Sequence, residues 1–270
     1  MLSLIKTEWL KIKNYRAFWW VLGITALSYP GINYIFYNAY LDITSKKDTT
    51  GDIAKMLLGN PFEFPETFHT AGYFSSFFVF IPAIVVIMMI TNEYTFKTHR
   101  QNIIDGWSRD QFLLSKFFDV LFITVLVSLL YFIVAIAIGI NNSGKSKEIW
   151  SKSYYALLFS LQTFSQLSIA FLIGFLVRKA FIALSIFVFY FLIVENTLVN
   201  ILRFKKSSLG AYFPLEISDR LIPVPAFLGK FDEAGYKLAL VAVKPHILYT
   251  IIYTAIIWGI CYYINKRRDL

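Results

Sequence analysis

The chain has 270 residues and a net charge of +9, with 57% hydrophobic, 19% aromatic and only 16% charged residues, and its mean hydropathy is +0.58. A water-soluble domain carries about 25% charged residues, so too little polar surface is left to cover a core, and a soluble enzyme is excluded. A basic balance often marks a nucleic-acid binder, which makes the location of the bases the first question.

A bilayer core about 30 Å thick takes roughly 20 apolar residues of helix. Before the first such stretch, residues 1–16 put Leu2, Ile5, Trp9 and Ile12 on one narrow helical arc, with Lys6 and Lys13 at its edge and Lys11 opposite. That pattern predicts a helix lying in the membrane interface. Ala17 to Tyr40 is the first span, with Pro30 inside it as the expected site of a bend. Its apolar core exceeds the 7–15 residues of a signal-peptide h-region, and no small-x-small cleavage site follows, so it is read as a retained span. The segment 41–72 is polar, with one short helix expected around Ile53 to Leu58. Tyr73 to Thr91 is the second span.

The loop 92–116 is the most informative segment. A short helix is expected from Thr95 to Asp105, stopped at Gly106, where a left-handed residue ends a helix at little cost. Ser108 then caps the next helix, with Gln111 three residues on completing a capping box and Asp110 favourable in the first turn. That helix leads into the third span, Phe117 to Ile140, with Asp119 placed at its inner interface.

Gly139-Ile-Asn-Asn-Ser-Gly144-Lys145-Ser146 matches the P-loop expression. A nucleotide site needs a strand before that loop, a helix after it and a magnesium-binding aspartate elsewhere. Here a membrane-length apolar helix precedes it, so it reads as a turn. Asp105 to Arg109 resembles the start of a membrane phosphotransferase signature, but the arginine is one place early and the later paired aspartates are missing, so no metal can be held.

Tyr154 to Val177 and Ala180 to Leu202 are the fourth and fifth spans, joined only by Arg178 and Lys179. Glu195 is the one acid well inside a span, with Asn196 and Asn200 close by. Either these residues line a translocation path or outer gate, or the span ends near Val194 and Glu195 reaches interfacial water. The outer segment 203–245 carries Pro214, Pro223 and Pro225 and an apolar stretch, Leu238 to Val243, too short to span; both suggest re-entrant or surface helices. His246 to Asn265 is the sixth span. Cys261 lies in an apolar run, and His69, His99 and His246 are isolated from one another, so no disulfide, metal site or other cofactor site is expected.

The expected fold is therefore an all-α polytopic membrane protein with six transmembrane helices in one transmembrane domain over 1–270. Six spans put both termini on one side. If that side is the cytoplasm, its 48 loop residues hold 13 bases, and the 88 on the other side hold the remaining 13. Density and the cluster before the first span favour cytoplasmic termini. The basic excess becomes a cytoplasmic rim suited to membrane lipid headgroups, and no nucleic acid is needed to explain it.

Glu93, Lys97-Thr98, Arg100-Gln101-Asn102, Asp105-Gly106, Ser108-Arg109, Phe112 and Ser115-Lys116 together resemble the cytoplasmic loop of the ABC type-2 permease family. The order of parts along the chain resembles that family too. Such a resemblance implies a non-enzymatic export subunit that works with a separate ATP-binding ABC ATPase subunit and a second permease chain, identical or related, in the cell membrane. It further implies that Thr98, Arg100, Asp105, Gly106, Trp107, Ser108 and Arg109 form the ATPase-coupling helix and its turn. The outer segment with Pro214 becomes the extracellular gate, beside Glu195, Asn196 and Asn200. The alternative is an ion-coupled secondary transporter or channel without an ATPase, which calls for repeated mid-membrane charges and broken helices in matching halves.

Overall fold

The computed structural model describes residues 2–45, 49–142 and 148–267, and these form an all-α protein. In chain order the helices are α1 (Leu2–Asn14), α2 (Arg16–Thr44), α3 (Thr49–Leu58), α4 (Glu66–Ser76), α5 (Phe80–Thr95), α6 (Thr98–Ile104), α7 (Arg109–Asn142), α8 (Tyr155–Val177) and α9 (Ala180–Phe189). A π-helical turn, Tyr190–Val194, joins α9 to α10 (Glu195–Phe204). A short 3-10 turn, α11 (Pro214–Asp219), α12 (Ala226–Gly229) and the long α13 (Glu233–Arg267) complete the chain. Of the P-loop-like stretch, Ser143, Gly144, Lys145 and Ser146 lie outside the described residues, as do Arg268 and Asp269 of the cytoplasmic rim.

Among the described residues four helices are long and apolar enough to cross a membrane: α7, α8, the joined run Ala180–Phe204, and α13. The pair α4 and α5, bent by 52°, makes a fifth if counted as one broken span. The chain is therefore a multi-span membrane protein. The sixth expected span, α2, falls outside this count: although 29 residues long, it carries Trp19, Trp20, Asn33, Tyr34, Tyr37, Asn38 and Tyr40, which lower its hydropathy. Pro30 sits inside this helix without ending it.

Two further boundaries are corrected. The expected unbroken span Tyr73 to Thr91 is instead divided near Phe77–Val79. Pro82 has no N–H to give and its ring crowds the carbonyl four residues back, which falls at Phe78, so one helix cannot run through. The amides of Phe78, Val79 and Ile81 bond three residues back instead, at 3.0–3.3 Å. Pro82 then occupies the first turn of α5, where its missing donor costs nothing. At the other end of the chain, Leu238 to Val243 is no separate re-entrant piece: it belongs to α13, which continues through Pro245. The Ala, Leu and Lys residues before that proline favour helix strongly enough to absorb one lost bond.

α8 is the central helix. Within its most apolar stretch 61% of residues are buried, against 22–33% in the other three candidate spans. It packs against α4, α5, α7, α9, α11 and α13. Lipid is as apolar as a leucine side chain, so close packing and buried hydrogen bonds hold such helices together. Gly174 lets α5 approach, since a Cβ there would sit 2.6 Å from Ile90 Cγ2. Phe159 packs under Tyr29 and Tyr131, and Phe171 stacks on Trp258. The Trp258 indole also donates to Ser168 Oγ at 3.0 Å.

The end of the bundle remote from α6 is tied by polar contacts. His69 stacks on Tyr155 with ring centroids 4.1 Å apart, and its Nε2 lies 2.7 Å from the Pro223 carbonyl. A carbonyl only accepts, so this contact fixes the proton on Nε2. The Tyr131 hydroxyl donates to the Phe68 carbonyl at 2.6 Å.

Candidate functional site

The segment between α5 and α7 follows its sequence signals closely. The Ser108 amide donates to Gln111 Oε1 at 2.9 Å and the Gln111 amide to Ser108 Oγ at 3.1 Å, a reciprocal capping box. Gly106 has φ +99°, as its role as a helix stop requires. The helix before it is shorter than expected: Thr95 ends α5, and Lys97, at φ 56°, turns the chain, so α6 begins only at Thr98.

Four helices converge on this segment through one ion cluster. Lys116 of α7, 3% exposed, contacts Glu8 of α1 at 2.5 Å, Glu93 of α5 at 2.8 Å and Asp119 at 3.1 Å. Lys11 reaches Glu8 at 3.1 Å and Glu93 at 2.9 Å. The Thr98 hydroxyl donates to the second oxygen of Glu93, and His99 Nδ1 lies 2.9 Å from the Glu93 carbonyl. Asp119, expected at the interface, is therefore buried inside the cluster, and Lys11 faces inward rather than away.

The charges sit at i, i+3 on α1 and again on α7, so each helix brings two groups on one face. Burial alone raises the Glu8 carboxyl, but the Lys116 and Lys11 ammonium groups outweigh it and hold the acid below its ordinary value. Three acids against two lysines leave the cluster formally negative by one. A cavity of about 390 Å3 opens beside it, lined by Glu8, Lys11, Glu93, Phe96, Thr98 and Lys116 among others.

The expected coupling residues divide into two groups. Arg100 on α6 and Asp105 just past its end are exposed, and Asp105 accepts from Gln101 Nε2 at 2.8 Å. Beside them Phe96 and Ile104 are 71% and 77% exposed; both fall within the expected Thr95 to Asp105 stretch, but the sequence does not single them out, because a helix this short shows no period. Trp107 is half-buried, with the Lys11 ammonium 5.8 Å above its ring. Arg109 is engaged within the chain: it donates to the Lys266 carbonyl at 3.0 Å, and its own carbonyl accepts from Asn265 Nδ2 at 2.8 Å. These bonds clasp the start of α7 to the end of α13.

At the opposite end, a cavity of about 280 Å3 lies between α4, the π turn with α10, and α11. Glu195 is buried at its wall, and its Oε1 accepts the amides of Leu215 and Glu216 at 2.7 Å each. The helix does not end near Val194 but runs on to Phe204, and the Glu195 carboxylate answers the donors at the start of α11, which opens with Pro214. Asn196 lines the cavity and donates to the Phe191 and Leu192 carbonyls at 3.0 and 3.2 Å. Asn200 is exposed one turn further on, apart from the lining.

Asp219 is the residue of this cavity that sequence reasoning missed. Gln162 and Gln166, one turn apart on α8, both donate to its Oδ1, at 2.8 and 2.7 Å. The carboxyl opens onto the cavity yet is crowded by protein at longer range. That desolvation outweighs the two glutamine bonds and, with Glu216 and Glu195 nearby, pushes it up to about 7. Among the described residues no group of three or more His, Cys, Asp or Glu side chains is placed to hold a metal ion.

A family model described as ABC-2 family transporter protein matches residues 4–194, more than two thirds of the chain. The chain belongs to this family. Its role as an ABC-2 transporter protein is transport rather than catalysis. A search of the curated proteins gives no match. The ABC-2 match covers the ion cluster, α6 and the capping box, and stops immediately before Glu195.

Proposed function

We propose that this ABC-2 protein is the permease subunit of an ATP-driven exporter, with ATP hydrolysed on a separate ABC ATPase chain and the path completed by a second permease copy or relative. In this reading α2 is the first of six spans, both termini are cytoplasmic, and α1 lies at the inner membrane surface. α6 is the coupling helix.

The observation that carries the reading is the exposed pair Arg100 and Ile104, one turn apart on a short helix, with exposed Phe96 just before its start; that helix is itself anchored, through Thr98, Glu93 and Lys116, to α1, α5 and α7. Two large apolar side chains in water beside an arginine suit a protein partner. The anchoring means that a push on α6 moves two packed helices instead of bending a loop. The Arg109 clasp carries the same push to α13.

The test is ATP hydrolysis by the complex of this chain with its ATPase, reconstituted in liposomes. Ile104→Asp combined with Arg100→Glu is expected to cut hydrolysis at least tenfold by disrupting the docking face, a loss of about 1.4 kcal/mol or more, while the melting temperature of the isolated permease is unchanged. Undiminished hydrolysis in that variant, or substrate transport by the permease alone, would refute the proposal.

A further inference from the structure

The cavity beside α11 contains more acceptors than the protein satisfies. Glu195 lines it with 3% of its surface exposed, and its Oε2 has the Tyr190 hydroxyl nearby but no hydrogen bond of good geometry. Asp219 receives both glutamine bonds on Oδ1 and none on Oδ2. Behind Asp219, the side-chain carbonyls of Gln162 and Gln166 are buried and also unpartnered. Glu216, the third acid, is already answered by Arg220 at 2.9 Å and by Arg203 at 3.7 Å. Two acids therefore face this space without a cation, Asp219 exposed toward it and Glu195 buried at its wall, and a buried acceptor left unmade, as Glu195 Oε2 is, is costly.

We infer that this cavity is a subsite for the cationic head of an amphipathic substrate, an ammonium or guanidinium group, with Asp219 and Glu195 as its counter-charges. The inference rests on the transport reading above and narrows its substrate class. An anion is repelled here, and a neutral group leaves the carboxylates unanswered. A cation rich in N–H donors meets both the charge and the empty acceptors.

The walls fit the same chemistry. Tyr73, Phe77 and Phe191 line the cavity, and aromatic faces attract organic cations within about 6 Å. At about 280 Å3 the space lies just below the roughly 300–1,000 Å3 of pockets that enclose whole small molecules, so it takes a head group. Phe77 and Leu192, 50% and 49% exposed at its edge, offer the apolar remainder a surface.

The test uses the purified full chain in neutral detergent, without any ATPase, and two fluorescent probes. These are dansylcadaverine, which carries a primary ammonium, and its N-acetylated neutral counterpart. Saturable binding of the cation is expected, with the neutral probe at least about tenfold weaker, as loss of a charge-assisted bond implies. Asp219→Asn keeps the acceptor for Gln162 and Gln166 and is expected to raise the cation Kd by about tenfold. Glu233→Gln, exposed at the start of α13, is expected to leave it unchanged.

Added phosphatidylethanolamine that competes with the probe assigns the subsite to a lipid ammonium, and an absence of competition assigns it to a soluble amine; either result supports a cation site. Equal affinity for both probes, no saturable binding, or an unchanged Kd in Asp219→Asn overturns the inference. Because no ATPase takes part, failure here with intact coupled hydrolysis rejects the subsite alone. Binding here with no coupled hydrolysis rejects the exporter reading instead.

Discussion

Replacing Lys116 by methionine removes the hub of the ion cluster while keeping the volume of its stem. In the native chain one ammonium, 3% exposed, contacts three carboxylates on α1, α5 and α7 at 2.5, 2.8 and 3.1 Å. After Lys116→Met, only Lys11 remains near Glu8 and Glu93, and no ammonium contacts Asp119. Removing one partner of a buried ion pair costs about 3–5 kcal/mol, most of it the penalty of the charge left behind. At about 2–4 °C per kcal/mol for a chain of this size, the melting temperature should fall by roughly 6–20 °C.

Lys11→Met is the internal comparison. Its side chain is 31% exposed and the carboxylates it serves keep Lys116, so solvent screening limits its cost to about 1 kcal/mol. Pairing Lys116→Met with Glu8→Gln should recover part of the loss, because one stranded acid is then neutral. Thermal unfolding in detergent, followed by tryptophan fluorescence, measures all three. The reasoning fails if Lys116→Met melts within 2 °C of the native chain, if Lys11→Met costs as much, or if Glu8→Gln gives no recovery.

Acid should act on the same cluster. Glu8 has a folded pKa below its ordinary 4.5, so its stabilisation is complete above that value and fades as pH falls beneath it; Glu8→Gln should flatten this part of a melting-temperature profile. Gly174→Ala places a Cβ 2.6 Å from Ile90 Cγ2, against the Ile87 backbone at 3.4 Å, and should destabilise the chain by about 1–3 kcal/mol in the same melt. Ser108→Ala breaks the capping box and should cost about 1 kcal/mol, read as faster amide hydrogen exchange in the first turn of α7. Finally, the affinity for dansylcadaverine should weaken as pH is lowered from 8 to 6. Asp219, which faces Glu195 and the Glu216 carboxylate paired with Arg220 and Arg203, loses its charge through about 7; the Asp219→Asn variant should show no such dependence.

The parts of this molecule legible in the sequence are those whose signal and partner are neighbours in the chain. The capping box of Ser108 and Gln111 spans four positions, and Gly106 announces its own backbone. The hairpin at Arg178 and Lys179 and the bounds of α8 were equally local. The break before Pro82 was readable but lay hidden inside an apolar run. The ion cluster was not assembled, because residues 8, 93 and 116 are far apart in sequence and only folding puts them together. Its trace was nonetheless present: Lys116 and Asp119, one turn apart at the start of an apolar run, are charges that burial in a membrane protein requires to be paired. Asp219 carried no such mark. It stands in a polar, proline-rich stretch where an aspartate is unremarkable, and only the two glutamines of α8 single it out.

The clasp between Arg109 and the last turn of α13 gives that helix a fulcrum. From Lys266 to Thr250, whose hydroxyl approaches the Ile217 carbonyl of α11 at 3.4 Å, the rise is about 24 Å. A tilt of about 5° at the clasp therefore sweeps the contact with α11 sideways by roughly 2 Å. Asp219, at the end of α11, rides on the same short helix, so a stiff rod fixed at one end is enough to set the gauge of the distant cavity.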